Sequence, residues 1–230
     1  MPAGFFGKLP SKRDFVASGA SRPFLDMWEP WLQGSLAASR MALGDEWPSA
    51  YNRAPIWRFW LGADFAKEAI IGALMASVDG VGRPFPLAVF SGEGDGLLPP
   101  PEIEPNEPWC EAAEATLLKA LSPETSFEDF ARDVGAMSPP AVQERLDEIS
   151  GVEQLAEGVV LVRGLTYQPA LAFRAARRFG HHSAFAGQSF WWTVGGEGYE
   201  ALALAVVGLP ATALFADMLT GAFGRAGADV

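Results

Sequence analysis

The chain has 230 residues, 49% of them hydrophobic, with 8 tryptophans and 16 phenylalanines, which suits one large domain or two small ones around a real core. Its net charge of −11 argues against nucleic-acid binding, which needs a basic patch to neutralise phosphates. A single cysteine, Cys110, excludes an internal disulfide and fits a reducing compartment, no apolar leader is visible, and no run approaches the roughly 20 apolar residues of a membrane span.

The first element is a short extended entry, "GFFGKLPSKRDF" at residues 4–15, with Phe5 and Phe6 as anchors and Lys8, Ser11, Lys12, Arg13 and Asp14 in a polar turn after which Pro10 permits no helix. It is not a phosphate loop: only Phe5 and Phe6 separate Gly4 from Gly7, and Leu9 follows Lys8 where a magnesium-binding hydroxyl is required. Residues 22–43 read as a long helix, N-capped by Ser21, with Pro23 in the first turn and one apolar stripe of Phe24, Met27, Trp28, Trp31, Leu32 and Leu36. Pro30 predicts a kink or a break, and Gly44 a stop.

Strands are expected at 55–62 ("PIWRFWLG"), 69–79 and 84–92, joined by short links that favour antiparallel neighbours. In the first, Ile56, Arg58 and Trp60 share one face and Trp57, Phe59 and Leu61 the other. Arg58 among so many rings reads as stacked on an aromatic face or paired to a buried carboxylate. Pro86 favours an edge position or a strand that begins at Leu87.

A proline-rich loop at 92–108 precedes three helical pieces at 108–121, 127–137 and 139–149, the second with a capping-box-like Ser126 and Asp129. Residues 92–157 hold 16 acidic and 3 basic side chains, a solvated helical face or a steering surface for a basic partner. A short strand at 158–163, a helix at 169–178 with Arg174, Arg177 and Arg178 exposed, a hairpin of 188–194 and 200–208, and a final helix at 210–223 complete the chain. The order implies an α+β fold, a mostly antiparallel sheet packed by helices.

Chemistry is sparse. His181 and His182 are adjacent and rarely ligate one metal, no zinc or nucleophile-elbow spacing occurs, and Cys110 sits mid-helix, a poor place for a nucleophile. One constellation remains: Asp14, Arg58, Asp79 and Arg83, with Lys8 and Arg13, each at a strand end or turn. It reads either as an acid/base pair of Asp14 and Asp79 or as ion pairs locking the amino-terminal segment to the sheet. The second reading is preferred.

Five stretches, "GFFGKLPSKRDFV" (4–16), "PIWRFWL" (55–61), "LMASVDGVGRPFPL" (74–87), "SFWWT" (189–193) and "GLP" (208–210), together resemble TagF, the accessory protein family of bacterial type VI secretion. Arg13 and Ala76 stand where that family usually has glycine and proline. The resemblance implies a longin- or roadblock-like (profilin-like) sandwich, one domain over 1–230 with a mainly helical acidic insert at about 100–157. It implies a non-enzymatic, cytoplasmic regulator that restrains assembly or firing of the secretion machine after translation, bound to its forkhead-associated scaffold protein, without cofactor or metal. The phosphatase domain fused to some relatives has no counterpart among these residues. Lys8, Pro10, Arg13, Asp14, Arg58, Asp79 and Arg83 become signature or partner-binding residues under this reading. The alternatives are a small hydrolase or phosphatase-like enzyme using Asp14 and Asp79, and a chaperone holding a basic partner on the acidic segment.

Overall fold

Alternating faces on one strand explain the architecture. In β3 (Trp57–Leu61) the side chains of Trp57, Phe59 and Leu61 join one core, while Trp60 joins another on the opposite side of the sheet. A strand buried on both faces belongs at the centre of a covered sheet. The computed structural model describes residues 3–92, 97–142, 152–156, 159–163 and 169–224.

The remaining sheet strands are β1 (Gly4–Gly7), β2 (Val16–Ser18), β4 (Ile70–Met75) and β5 (Leu87–Gly92), and later β8 (Gln188–Thr193) and β9 (Leu202–Val207). The order is β2-β1-β5-β4-β3-β8-β9, antiparallel throughout. A separate hairpin pairs β6 (Val152–Ala156) with β7 (Val159–Val162). The short links between β3, β4 and β5 do join antiparallel neighbours, as their length implies.

One face is covered by α1 (Arg22–Leu43), α2 (Trp47–Arg53) and α7 (Phe215–Thr220). Trp28 of α1 stacks over Trp191 at 5.9 Å and tilts against Phe59 at 4.7 Å. The other face carries α3 (Glu107–Ala120) and α4 (Phe127–Gly135), whose Cys110, Ala113, Leu117 and Phe130 pack on Phe5, Ala73 and Val89. The α+β class read from the sequence is the class observed. Two short helices, α5 (Pro169–Phe179) and α6 (His181–Ala184), precede β8.

Local signals set most boundaries. Ser21 caps α1 by accepting the Phe24 N–H, and Gly44 ends it. The helix runs unbroken through Pro30. Burial of Trp28, Trp31 and Leu32 around the proline outweighs the lost hydrogen bond and ring clash, worth about 3 kcal/mol. β5 begins at Leu87, just past Pro86, so it sits centrally between β1 and β4 rather than at an edge. Ser126 and Asp129 form the expected reciprocal cap of α4.

Other expectations change. The final helix is a 3-10 turn (Thr212–Leu214) followed by the short α7, which Gly221 ends in the left-handed conformation. The helix expected at 139–149 falls mostly outside the described residues, and 139–142 are not helical. Lys8, expected in a polar turn, is buried. β2, α2 and β6 had no counterpart in the sequence reading.

Candidate functional site

β1 and β4 end, and β5 begins, at the same end of the sheet, with Gly7 and Met75 both opposite Leu87. This register brings the loop after β1 against the loop between β4 and β5, although some 70 residues separate them. Gly7 makes the approach possible: its φ is +142°, and a Cβ there would lie 2.0 Å from the Pro86 carbonyl oxygen.

Asp79 is the centre of the junction, and its side chain has no exposed surface. Its Oδ1 accepts the backbone N–H groups of Val81 (3.1 Å) and Arg83 (2.9 Å). Its Oδ2 meets Lys8 Nζ at 2.9 Å and Arg83 Nε at 2.6 Å. Arg83 Nη2 then donates to the Arg13 carbonyl at 2.7 Å, and Gly80 N–H donates to the Lys12 carbonyl at 2.7 Å. Below them Ser77 Oγ donates to the Lys8 carbonyl at 2.8 Å, and Tyr51 OH donates to the Ser77 carbonyl at 2.9 Å. Burial pushes the Asp79 carboxyl up, but the Arg83 N–H, Lys8, the Arg83 guanidinium and the Val81 N–H outweigh it and hold it well below the usual carboxylate range.

The lock reading of Lys8, Asp79 and Arg83 therefore has its geometry. The acid/base reading loses one partner: a buried carboxylate with both oxygens engaged and a depressed pKa is a poor proton carrier at neutral pH. Asp14 is exposed and, among the described residues, has neither an ion pair nor a hydrogen bond. Arg13 is exposed and joins the lock only through its carbonyl, and Pro10 lies beneath Gly80, its carbonyl oxygen 3.1 Å from where a Gly80 Cβ would sit. The outer surface of the junction presents Phe15, 48% exposed and edge-on to Phe85 at 4.7 Å, together with Val81 and the flank of Arg83.

Arg58 does not belong to this cluster. It projects from β3 under α3, almost wholly buried, with Nε 2.6 Å and Nη2 3.1 Å from the two carboxylate oxygens of Glu114 and a further contact to Glu107. Burial works against its charge, but the hydrogen bonds of Glu114 and Glu107 prevail and raise its pKa further above the usual arginine range. Its expected pairing with a carboxylate is thus observed, whereas its grouping with Asp14 and Asp79 is corrected. Glu107 and Glu114 were not singled out from the sequence. Their seven-residue spacing, in phase with Cys110 and Leu117, places acids in an apolar stripe and is the signal that marks them. Cys110 is fully buried, and burial pushes its thiol up to about 12, against the opposing pull of Arg58. Among the described residues no group of three or more His, Cys, Asp or Glu could hold a metal ion, and no helix is long and apolar enough to cross a membrane.

The family model of the TagF N-terminal domain, type VI secretion system-associated, matches residues 4–137. The chain belongs to the TagF family. Both loops of the Asp79 junction and the Arg58 pairing lie inside the matched region. The chain is also similar to PA0076 from Pseudomonas aeruginosa PAO1, whose crystal structure was determined at 2.05 Å resolution, with 31% sequence identity and a TM-score of 0.75. That likeness covers 95% of this chain and 94% of PA0076, so it extends beyond the region that matches the TagF N-terminal domain. No match was found among curated proteins.

Proposed function

We propose that this chain is a post-translational repressor of type VI secretion that acts by binding, with the forkhead-associated scaffold protein of the apparatus as its partner. The observation that carries the reading is membership of a type VI secretion-associated family. The geometry supports it in one respect: Lys8, Asp79 and Arg83 of the charged signature are engaged in joining two loops, and what is left outside is a recognition surface rather than a reactive group. Arg13, Asp14, Phe15 and Val81 form that surface at the end of the sheet. A cytoplasmic site of action follows from the same reading.

The test is a calorimetric titration of the purified chain with the purified scaffold, repeated with Arg13→Glu and Asp14→Lys. Both side chains are exposed and, among the described residues, unpaired, so both variants keep the fold. Binding in the micromolar range, weakened by either variant, supports the reading. Heat of binding unchanged by both variants moves the interface elsewhere on the molecule. Absence of binding, with secretion unaffected when the chain is overproduced in a type VI-active bacterium, overturns it.

A further inference from the structure

The two edges of the seven-stranded sheet are built differently. β2 is three residues long, and the charged turn at Lys12, Arg13 and Asp14 stands just before it. A short edge beside charges resists pairing with another chain. β9 is six residues long, Leu-Ala-Leu-Ala-Val-Val, with no lysine or proline, and its register with β8 is unbroken from Gln188↔Val207 to Thr193↔Leu202. Among the described residues no strand pairs with its outer side.

The two faces of β9 are both apolar. Leu202, Leu204 and Val206 are half-buried against the core beneath α1. Ala203, Ala205 and Val207 are exposed on the opposite face, Val207 at 87%. On that face α3 lies over β4 and β5, and α4 over β1. The open alanines therefore continue the half-buried Phe190 and Trp192 of β8 out to the edge.

We propose that β9 is an interface between two copies of this chain, paired antiparallel about a two-fold axis through Ala205, so that one sheet runs through both protomers. Every second residue of an edge strand turns its N–H and C=O outward, and an identical antiparallel strand supplies matching groups. The axis passes through a residue, not between two, because opposed residues in an antiparallel pair share a face. A one-residue slip sets exposed alanines against core leucines. Centred on Ala205, Ala203 meets Val207 and Leu204 meets Val206, and the most exposed apolar side chain of the strand is covered.

If two copies pair, charge selects this strand and this orientation. Each copy carries −11, so most surfaces repel a second copy, whereas β9 is uncharged. Glu200 precedes the strand, and antiparallel pairing places the two Glu200 side chains at opposite ends. A parallel arrangement opposes them.

Sedimentation equilibrium of the full chain from about 1 µM to about 100 µM, a span covering modest affinities, tests the proposal. The expected result is a concentration-dependent dimer. Ala205→Lys and Ala205→Glu each place like charges across the axis, so each variant alone is monomeric at the concentrations where the wild type pairs. Mixing the two restores the dimer. Circular dichroism checks the fold of both, and Ala203→Lys serves as the second disrupting variant. A wild type that stays monomeric at the top concentration overturns the proposal. So does a dimer indifferent to both lysine variants, or a mixture that stays monomeric.

Discussion

Asp79 holds two loops together through four donors, and its contribution depends on its charge. Its folded carboxyl titrates below the unfolded aspartate value of about 3.9. The stability it adds is therefore complete above about pH 4 and is lost as pH falls through that region towards the folded value. Asp79→Asn keeps an acceptor for the Val81 and Arg83 N–H groups but leaves buried Lys8 without its counter-charge. The expected outcome is a lower melting temperature at pH 7 and a flatter acid limb below about pH 4, measured by thermal melts across pH. A variant whose acid limb matches the wild type sinks this account. Arg58 offers a second case. Arg58→Met leaves the Glu114 carboxylate, 16% exposed, without its bidentate partner, and the expected loss is about 3 kcal/mol by urea denaturation. Replacing Glu114 with leucine as well should recover part of that loss. If the double variant is the less stable by the sum of both changes, the pair is not coupled as drawn.

At the scale of elements, the central sheet depends on one small residue. Gly72 of β4 lies opposite Phe59 of β3, and a Cβ on Gly72 would sit 2.2 Å from the Phe59 ring. Phe59 is fully buried between Trp28 and Trp191 and has nowhere to move. Gly72→Ala should cost about 1–3 kcal/mol through overpacking, and Phe59→Leu in the same chain should relieve part of it, both measurable by chemical denaturation. The elements that the sequence revealed are those with local signals: α1 through its cap, stripe and terminal glycine; α4 through its reciprocal cap; and β8–β9 through two apolar runs around a glycine-rich turn. What it hid was non-local. β2 has three residues and α2 seven, too few for a period to show. The pairing of β1 with β5 joins residues 80 to 86 positions apart, and no local propensity encodes it. The same holds for the site. A carboxylate partner for Arg58 was legible from its apolar surroundings, but not which one, and the grouping of Arg58 with Asp79 failed because they project to different parts of the molecule.

Over the whole molecule the charge distribution and the open sheet edge make opposing demands, and salt separates them. Two copies carrying −11 each repel at long range, while the proposed β9 pairing uses backbone hydrogen bonds and apolar side chains that salt does not screen. Between 0.1 M and 1 M ionic strength the screening length falls from about 10 Å to about 3 Å, which removes most of the repulsion. Self-association should therefore tighten as sodium chloride is raised, with the dissociation constant read by sedimentation at each concentration. A complex formed by the acidic stretch at 92–157 with a basic partner has the opposite sign, because its attraction is what salt removes. One salt series on the chain alone and one on its complex with the scaffold thus report which surface each uses. A self-association that weakens with salt places charged groups in the interface between copies and rules out the uncharged strand. A scaffold complex insensitive to salt shifts recognition away from the acidic helices α3 and α4, towards the aromatic junction around Phe15 and Phe85.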